Sequence, residues 1–256
     1  MNFRITGPEG APVVVLSAGL GGAAAFWAPQ AAALEARFRV LHYDHRGTGA
    51  NPGELPDPYA IADMARDVLG ILDAAGIGRA HLLGHALGGL VGLELARMAP
   101  ERLGALVLVN AWAKADPHTL RCFEVRLGIL AAQGPAAYVA AQPLFLHSAP
   151  HASANHARIL AEIAHGTAHF QGEANLRRRI GALSAFDATA DLPRIATPTL
   201  VAAAKDDLLV PWTASAALAA ALPHARLWLT DHGAHAFTVE QPEAFNAVLL
   251  QFLESV

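Results

Sequence analysis

The sequence predicts an α/β fold: a mostly parallel sheet flanked by helices, with a helical insertion over one edge. Three observations carry this. Apolar runs rich in β-branched residues alternate with helical patterns through residues 12–110, the strand signal vanishes across 112–191, and it returns at 198 before a closing helix. Such alternation implies parallel pairing, because each helix carries the chain back over the sheet face. In order, residues 12–17, 39–43, 80–83 and 105–110 read as strands, with helices at 59–75 and 87–98. Pro100 follows the second helix closely, where a helix cannot continue. The insertion reads as helices separated by Gly134-Pro135, Ala149-Pro150 and Gly172. Residues 198–204 and 225–229 are the next strands, and 242–253 the last helix. The expected organisation is a core of 1–111 and 192–256 with a helical cap of 112–191 over the carboxyl edge of the sheet, where ligands bind in this architecture.

Composition narrows the function classes. At 256 residues and 54% hydrophobic, the chain can bury one large core, so one domain with an insertion is expected rather than two. A net charge of -4 gives no reason to expect nucleic acid or an anionic membrane as partner. The single cysteine, Cys122, excludes an internal disulfide and fits a reducing compartment. With no charged and apolar leader pattern and no apolar run of membrane-spanning length, a cytoplasmic protein is expected.

The most informative segment is Leu82-Leu83-Gly84-His85-Ala86-Leu87-Gly88-Gly89. It has the form of a nucleophile elbow, a strained strand-turn-helix that lifts one side chain above the sheet. Gly84 and Gly88 stand where a Cβ would collide with backbone, yet alanine occupies the nucleophile's position. Further loops fall at predicted strand ends. Ser17-Ala18-Gly19-Leu20-Gly21-Gly22 is glycine-rich, and its N–H groups could hold an oxyanion. Lys205-Asp206-Asp207-Leu208-Leu209-Val210-Pro211 brings a carboxylate above the sheet, and Asp231-His232-Gly233-Ala234-His235 brings a histidine. Elbow, acid, histidine is the chain order of serine hydrolases built on such a sheet.

With these segments in place the chain resembles the α/β-hydrolases along its whole length and, more narrowly, the RutD family of pyrimidine degradation. The narrower resemblance rests on Tyr43-Asp44-His45-Arg46-Gly47-Thr48-Gly49, on Gly84-His85-Ala86-Leu87-Gly88 and on the stretch after Gly233. It rests also on three insertion segments, His118-Thr119-Leu120-Arg121-Cys122-Phe123, Gln142-Pro143-Leu144-Phe145-Leu146 and Ala168-His169-Phe170-Gln171-Gly172. The resemblance implies that alanine at the elbow is ordinary for the family. It also implies release of ammonia from carbamate or 3-aminoacrylate; separately, no cofactor or metal is expected.

Alanine has no attacking atom, so acyl-enzyme chemistry through residue 86 is excluded. Asp207 and His235 remain as an acid–imidazole pair for moving protons near neutral pH, and by analogy with the fold the N–H groups of Leu20 and Leu87 form the oxyanion site. Both candidate substrates lose ammonia even without an enzyme, so positioning and proton transfer suffice. Both are small anions, and Arg121, Arg126, Arg177, Arg178 and Arg179 are candidates for binding them, with Trp112, Gln142 and Gln171 as pocket residues. Asp206 is the rival acid, expected to face solvent or the neighbouring loop, and Asp44 and Arg46 read as an ion pair or loop brace. The insertion's histidines, His147, His151, His156, His165 and His169, include four-residue spacings that could face a metal, but no carboxylate or cysteine stands at a matching offset and a structural or surface role is expected. From a different class, a non-catalytic binder of small anions would also keep the pocket and lose the serine.

Overall fold

The computed structural model describes residues 1–256. Seven strands form one sheet in the order β1 (Phe3–Thr6), β3 (Arg39–Tyr43), β2 (Val13–Ser17), β4 (Ala80–His85), β5 (Leu103–Val109), β6 (Thr199–Ala204) and β7 (Ala225–Thr230). All neighbours pair in parallel except β1 and β3. The antiparallel edge strand β1 is an element that sequence periodicity misses. At four residues, with only partial burial, Phe3–Thr6 gives no apolar run to read.

β2 and β6 are buried at every residue, which requires cover on both faces. On one face α1 (Ala28–Glu35) packs with α10 (Pro242–Leu253), and Trp27, Leu34, Phe245 and Phe252 close over Val14, Leu83 and Val107. On the other lie α2 (Ile61–Ala74), α3 (Leu87–Met98) and α8 (Trp212–Ala221). α2 shows why its sequence folds this way. Its buried residues Ile61, Met64, Ala65, Val68, Ile71 and Leu72 repeat at helical spacing, and Asp63 accepts from the Ala60 amide at its start, at 2.9 Å.

Four helices separate β5 from β6. They are α4 (Pro117–Leu146), α5 (Ala149–Ala154), α6 (His156–Ala168) and α7 (Glu173–Ala185). Gly134, with φ 81° and ψ -177°, leaves the helical conformation and divides α4 into two helical segments at a kink, as the sequence predicts, while Pro150 lies in the first turn of α5 and Gly172 caps α7. α4 has the length and apolar composition of a bilayer span only when its two segments on either side of Gly134 are counted as one helix. In the fold it is bent at Gly134, and its buried Phe123, Arg126 and Leu130 face the rest of the protein. The insertion shares its core with the sheet, since Trp112, Phe123, Tyr138 and Leu183 join the apolar cluster that holds α2 and α3.

Candidate active site

The turn between β4 and α3 is an elbow in its backbone. Ala86 adopts φ 47° and ψ -112°, a conformation that L residues rarely hold and that the surrounding structure must impose. Its amide donates to Val109 O at 2.8 Å, and its carbonyl accepts from Gly89 and Leu90. The glycines are required on steric grounds. A Cβ on Gly84 would lie 2.3 Å from Gly88 O, and one on Gly88 would lie 2.2 Å from Ser17 O.

Above the elbow lies a cavity of about 160 Å³, lined among others by Leu20, Ala86, Leu87, Trp112, Arg126, Gln142 and His235. The amides of Leu20 and Leu87 donate to no protein acceptor, which leaves both free to bind an oxygen. The Leu20 loop is fixed from behind. Gly22 donates to Gly19 O, the His45 amide to Gly22 O, and His45 Nε2 to Ala18 O, each at 2.9 Å. Arg179 of α7 is fully buried and donates to Leu20 O, Gln171 and Arg46 O, with no carboxylate partner. Burial pushes its guanidinium down to about 10, so it stays charged at neutral pH. Burial, reinforced by Arg179, pushes His45 down to about 3, so its ring is neutral.

His235 Nδ1 lies 2.7 Å from Asp207 Oδ2, and both side chains are buried. An ionised carboxylate can only accept, so Nδ1 carries the proton and Nε2 is the nitrogen without a protein partner. The amides of Leu209 and Val210 donate to Asp207 Oδ1 at 2.8 and 3.0 Å and orient the carboxylate. Asp206 accepts from the amides of Gly233 and Ala234 and so fixes the neighbouring loop. Two groups hold His235 itself, one of them, Asn110, missed at the sequence level. Asn110 Nδ2 and His85 Nε2 donate to its carbonyl at 2.8 and 2.9 Å. Asn110 ends an apolar strand in a left-handed conformation, φ 47°, and that polar residue closing an apolar run was the available signal. Burial and the neighbouring His235 keep His85 well below the usual imidazole range.

Among the arginines, the structure selects differently from the sequence. Arg121 does not reach the cavity; it is largely exposed on α4 and pairs with Glu124 at 3.1 Å. Helical geometry gives the reason, since Cys122, Phe123 and Arg126 occupy the buried face of that helix and Arg121 falls outside it. Arg126 reaches the cavity, packed by Phe123, Tyr138 and Phe145 and bonded to the Tyr138 hydroxyl at 2.9 Å. Arg177 and Arg178 pair on the outside with Glu173 and Glu54. Trp112 and Gln142 line the cavity, whereas Gln171 sits in an adjoining one beside Leu20.

The structure also places the remaining polar residues. Asp44 and Arg46 do not pair: Asp44 accepts from the amides of Ala24 and Ala50, and Arg46 binds Asp67. Ser17 Oγ bonds to the Tyr43 hydroxyl at 2.9 Å and does not line the cavity. Cys122 is buried and its thiol pushed up by burial, which leaves it a packing residue. His147 and His151 do meet a carboxylate, Glu240, which sequence offset could not reveal.

Residues 12–134 match the α/β hydrolase fold family. Among solved structures, a hydrolase from Pseudomonas aeruginosa PA01 superposes with a TM-score of 0.89 at 33% identity, covering 98% of this chain and 93% of that one. The enol-lactonase from Burkholderia xenovorans LB400 superposes equally well at 30% identity, covering 99% and 96%. Among curated relatives, "Putative carbamate hydrolase RutD" of Variovorax paradoxus is 54% identical over 100% of this chain and 97% of its own. The protein of that name from Agrobacterium fabrum is 51% identical over 99% and 98%. The chain belongs to the α/β-hydrolases and, within them, to the RutD family.

Proposed function

We propose that this protein is a hydrolase of pyrimidine degradation that releases ammonia from a small carboxylate-bearing amine, carbamate or 3-aminoacrylate, by proton transfer without a serine nucleophile. The observation that carries this reading is the His235–Asp207 pair held on the wall of a cavity whose elbow bears only the methyl of Ala86. The names of the relatives support carbamate as the first substrate to test. Arg126 and the free amides of Leu20 and Leu87 give that cavity a cation and two donors for a carboxylate.

For carbamate, protonated His235 gives its Nε2 proton to the nitrogen, the C–N bond breaks with its electron pair on nitrogen, and ammonia and carbon dioxide leave. Asp207 stabilises the imidazolium before transfer, and water restores the proton afterwards. For aminoacrylate, the imine tautomer takes water at carbon. His235 would carry the two protons of that water to the nitrogen, one as the C–O bond forms and the second as the hydroxyl becomes a carbonyl, when the C–N bond breaks and ammonia leaves.

The test is ammonia release from freshly generated carbamate and from 3-aminoacrylate, comparing the native chain with His235→Ala between pH 6 and 8, a span around the imidazole pKa. The expected loss is about 10²–10⁴-fold, the usual worth of a positioned acid–base group. Native and variant rates both equal to the uncatalysed rate would instead support the second reading, a small-anion binder, which the missing nucleophile favours.

A further inference from the structure

Where the insertion meets the core, two histidines and a glutamate converge outside the cavity described above. His147 closes α4, His151 lies in α5, and Glu240 ends α9 (Phe237–Glu240), the short helix that follows His235. His147 Nδ1 lies 3.1 Å from Glu240 Oε1, and His151 Nδ1 lies 3.9 Å from Oε2. The two imidazoles stack 5.2 Å apart and 12° from parallel, so both present the same nitrogen to one carboxylate. All three donor atoms fall within 4.8 Å of one another.

These distances are close to those of a zinc site. With zinc bonds of about 2.0–2.2 Å, the ligand atoms of a tetrahedron stand roughly 3.3–3.6 Å apart. The separations of 3.1 and 3.9 Å run to the two different oxygens of Glu240 and the whole donor set lies within 4.8 Å, so the rings and the carboxylate must draw together to close on one cation. The carboxylate is already oriented. The Ser148 amide donates to Oε1 at 2.9 Å and its hydroxyl to Oε2 at 2.6 Å, the outer support that keeps a ligand in place. The cluster opens on a surface groove also lined by Asp206 and His232, which leaves room for a water as fourth ligand. One contact must change. Arg158 Nη2 lies 2.6 Å from His151 Nε2, which would carry the proton in a metal-bound ring. Arg158 is exposed and already reaches Glu162 at 3.3 Å, so it can turn away.

We propose that His147, His151 and Glu240 form a binding site for a divalent transition-metal cation of the zinc type, which clips the insertion to the core. The clip would reinforce a contact already present beside it, the Ala236 amide donating to Leu146 O at 2.8 Å. Through that contact the cation would hold the loop that follows His235.

The test is titration of the untagged full chain with zinc chloride alone, read by calorimetry, by metal content after desalting, and by the thermal midpoint. One zinc per chain is expected, with a midpoint that rises with zinc. His151→Ala and Glu240→Gln should each weaken binding at least tenfold and abolish the rise. His165→Ala, which breaks the exposed stacked pair His165–His169, should change neither. Because His151 lies at the rim of the cluster, its variant retains the fold even where Glu240→Gln does not. Absence of zinc uptake by the native chain, or uptake lost in His165→Ala and kept in His151→Ala, would overturn the proposal.

Discussion

Arg126 is buried among three aromatic rings with no carboxylate at hand, so its charge is directed to the cavity. A charge-assisted hydrogen bond to a substrate carboxylate is worth about 1.5–3 kcal/mol, or roughly 10–100-fold. Arg126→Gln should therefore raise KM by that factor in steady-state ammonia release while kcat moves less. Arg121→Ala should leave both unchanged, since Arg121 faces solvent. An equal effect of the two would remove Arg126 from substrate binding. At the same scale, His45 and His85 set an acid limit on stability. Both are buried and depressed below the ordinary value of 6.5, His45 to about 3. Above pH 6.5 their contribution is complete; as pH falls below that value the unfolded chain takes up protons that the folded chain refuses. Stability should fall by up to about 1.4 kcal/mol per pH unit for each ring. Urea unfolding from pH 7 downwards should show this slope, and His45→Gln should reduce it.

At the scale of elements, the elbow and the loop of His235 are built to hold unfavourable backbone. Ala86 and Ala234 both have positive φ, a strain of order 1–3 kcal/mol each that is sustained only by the turns around them. Gly84→Ala and Gly88→Ala place a Cβ within 2.3 Å of backbone oxygen, where no side-chain movement gives relief. Both should abolish soluble expression or lower the thermal midpoint by well over 10 °C, given about 2–4 °C per kcal/mol for a chain of this size. Ala86→Ser keeps the backbone and adds a hydroxyl on the wall that His235 shares. It should gain labelling by a fluorophosphonate probe that the native chain lacks, with no gain in ammonia release. Labelling of the native chain would reveal a nucleophile elsewhere and sink the mechanism.

At the scale of the molecule, α7 of the insertion is joined to the core by Asn175, Arg178 and Arg179, and the last of these reaches the loop at the site. Arg179 crosses from α7 to Leu20 O and Arg46 O, so the insertion fixes the loop that offers the Leu20 amide. In Arg179→Met two effects oppose. The lost hydrogen bonds destabilise, while removal of a buried charge without a carboxylate partner stabilises, and such exchanges often come out near neutral. The thermal midpoint should therefore move little. Ammonia release should fall on the order of 10²-fold as the oxyanion loop loses its register. A large drop in midpoint with activity intact would make Arg179 merely structural.

The sequence by itself determined six of the seven strands in order, the helices α2, α3 and α10, the elbow and the acid–histidine pairing. Each rests on local rules: periodicity, glycine where a Cβ cannot fit, and residue types fixed at strand ends. It determined as well that no serine attacks from position 86. It did not reveal β1, whose four residues, three half-buried and one exposed, carry no apolar run. Only the tertiary structure decided which arginine faces the cavity, because helix α4 turns Arg126 inward and Arg121 outward. It alone joined Asn110 and His85 to the His235 carbonyl and Glu240 to His147 and His151. These contacts span tens of residues or more, and their geometry is set by how the sheet brings its loops together and how the insertion packs on it, which no local spacing encodes.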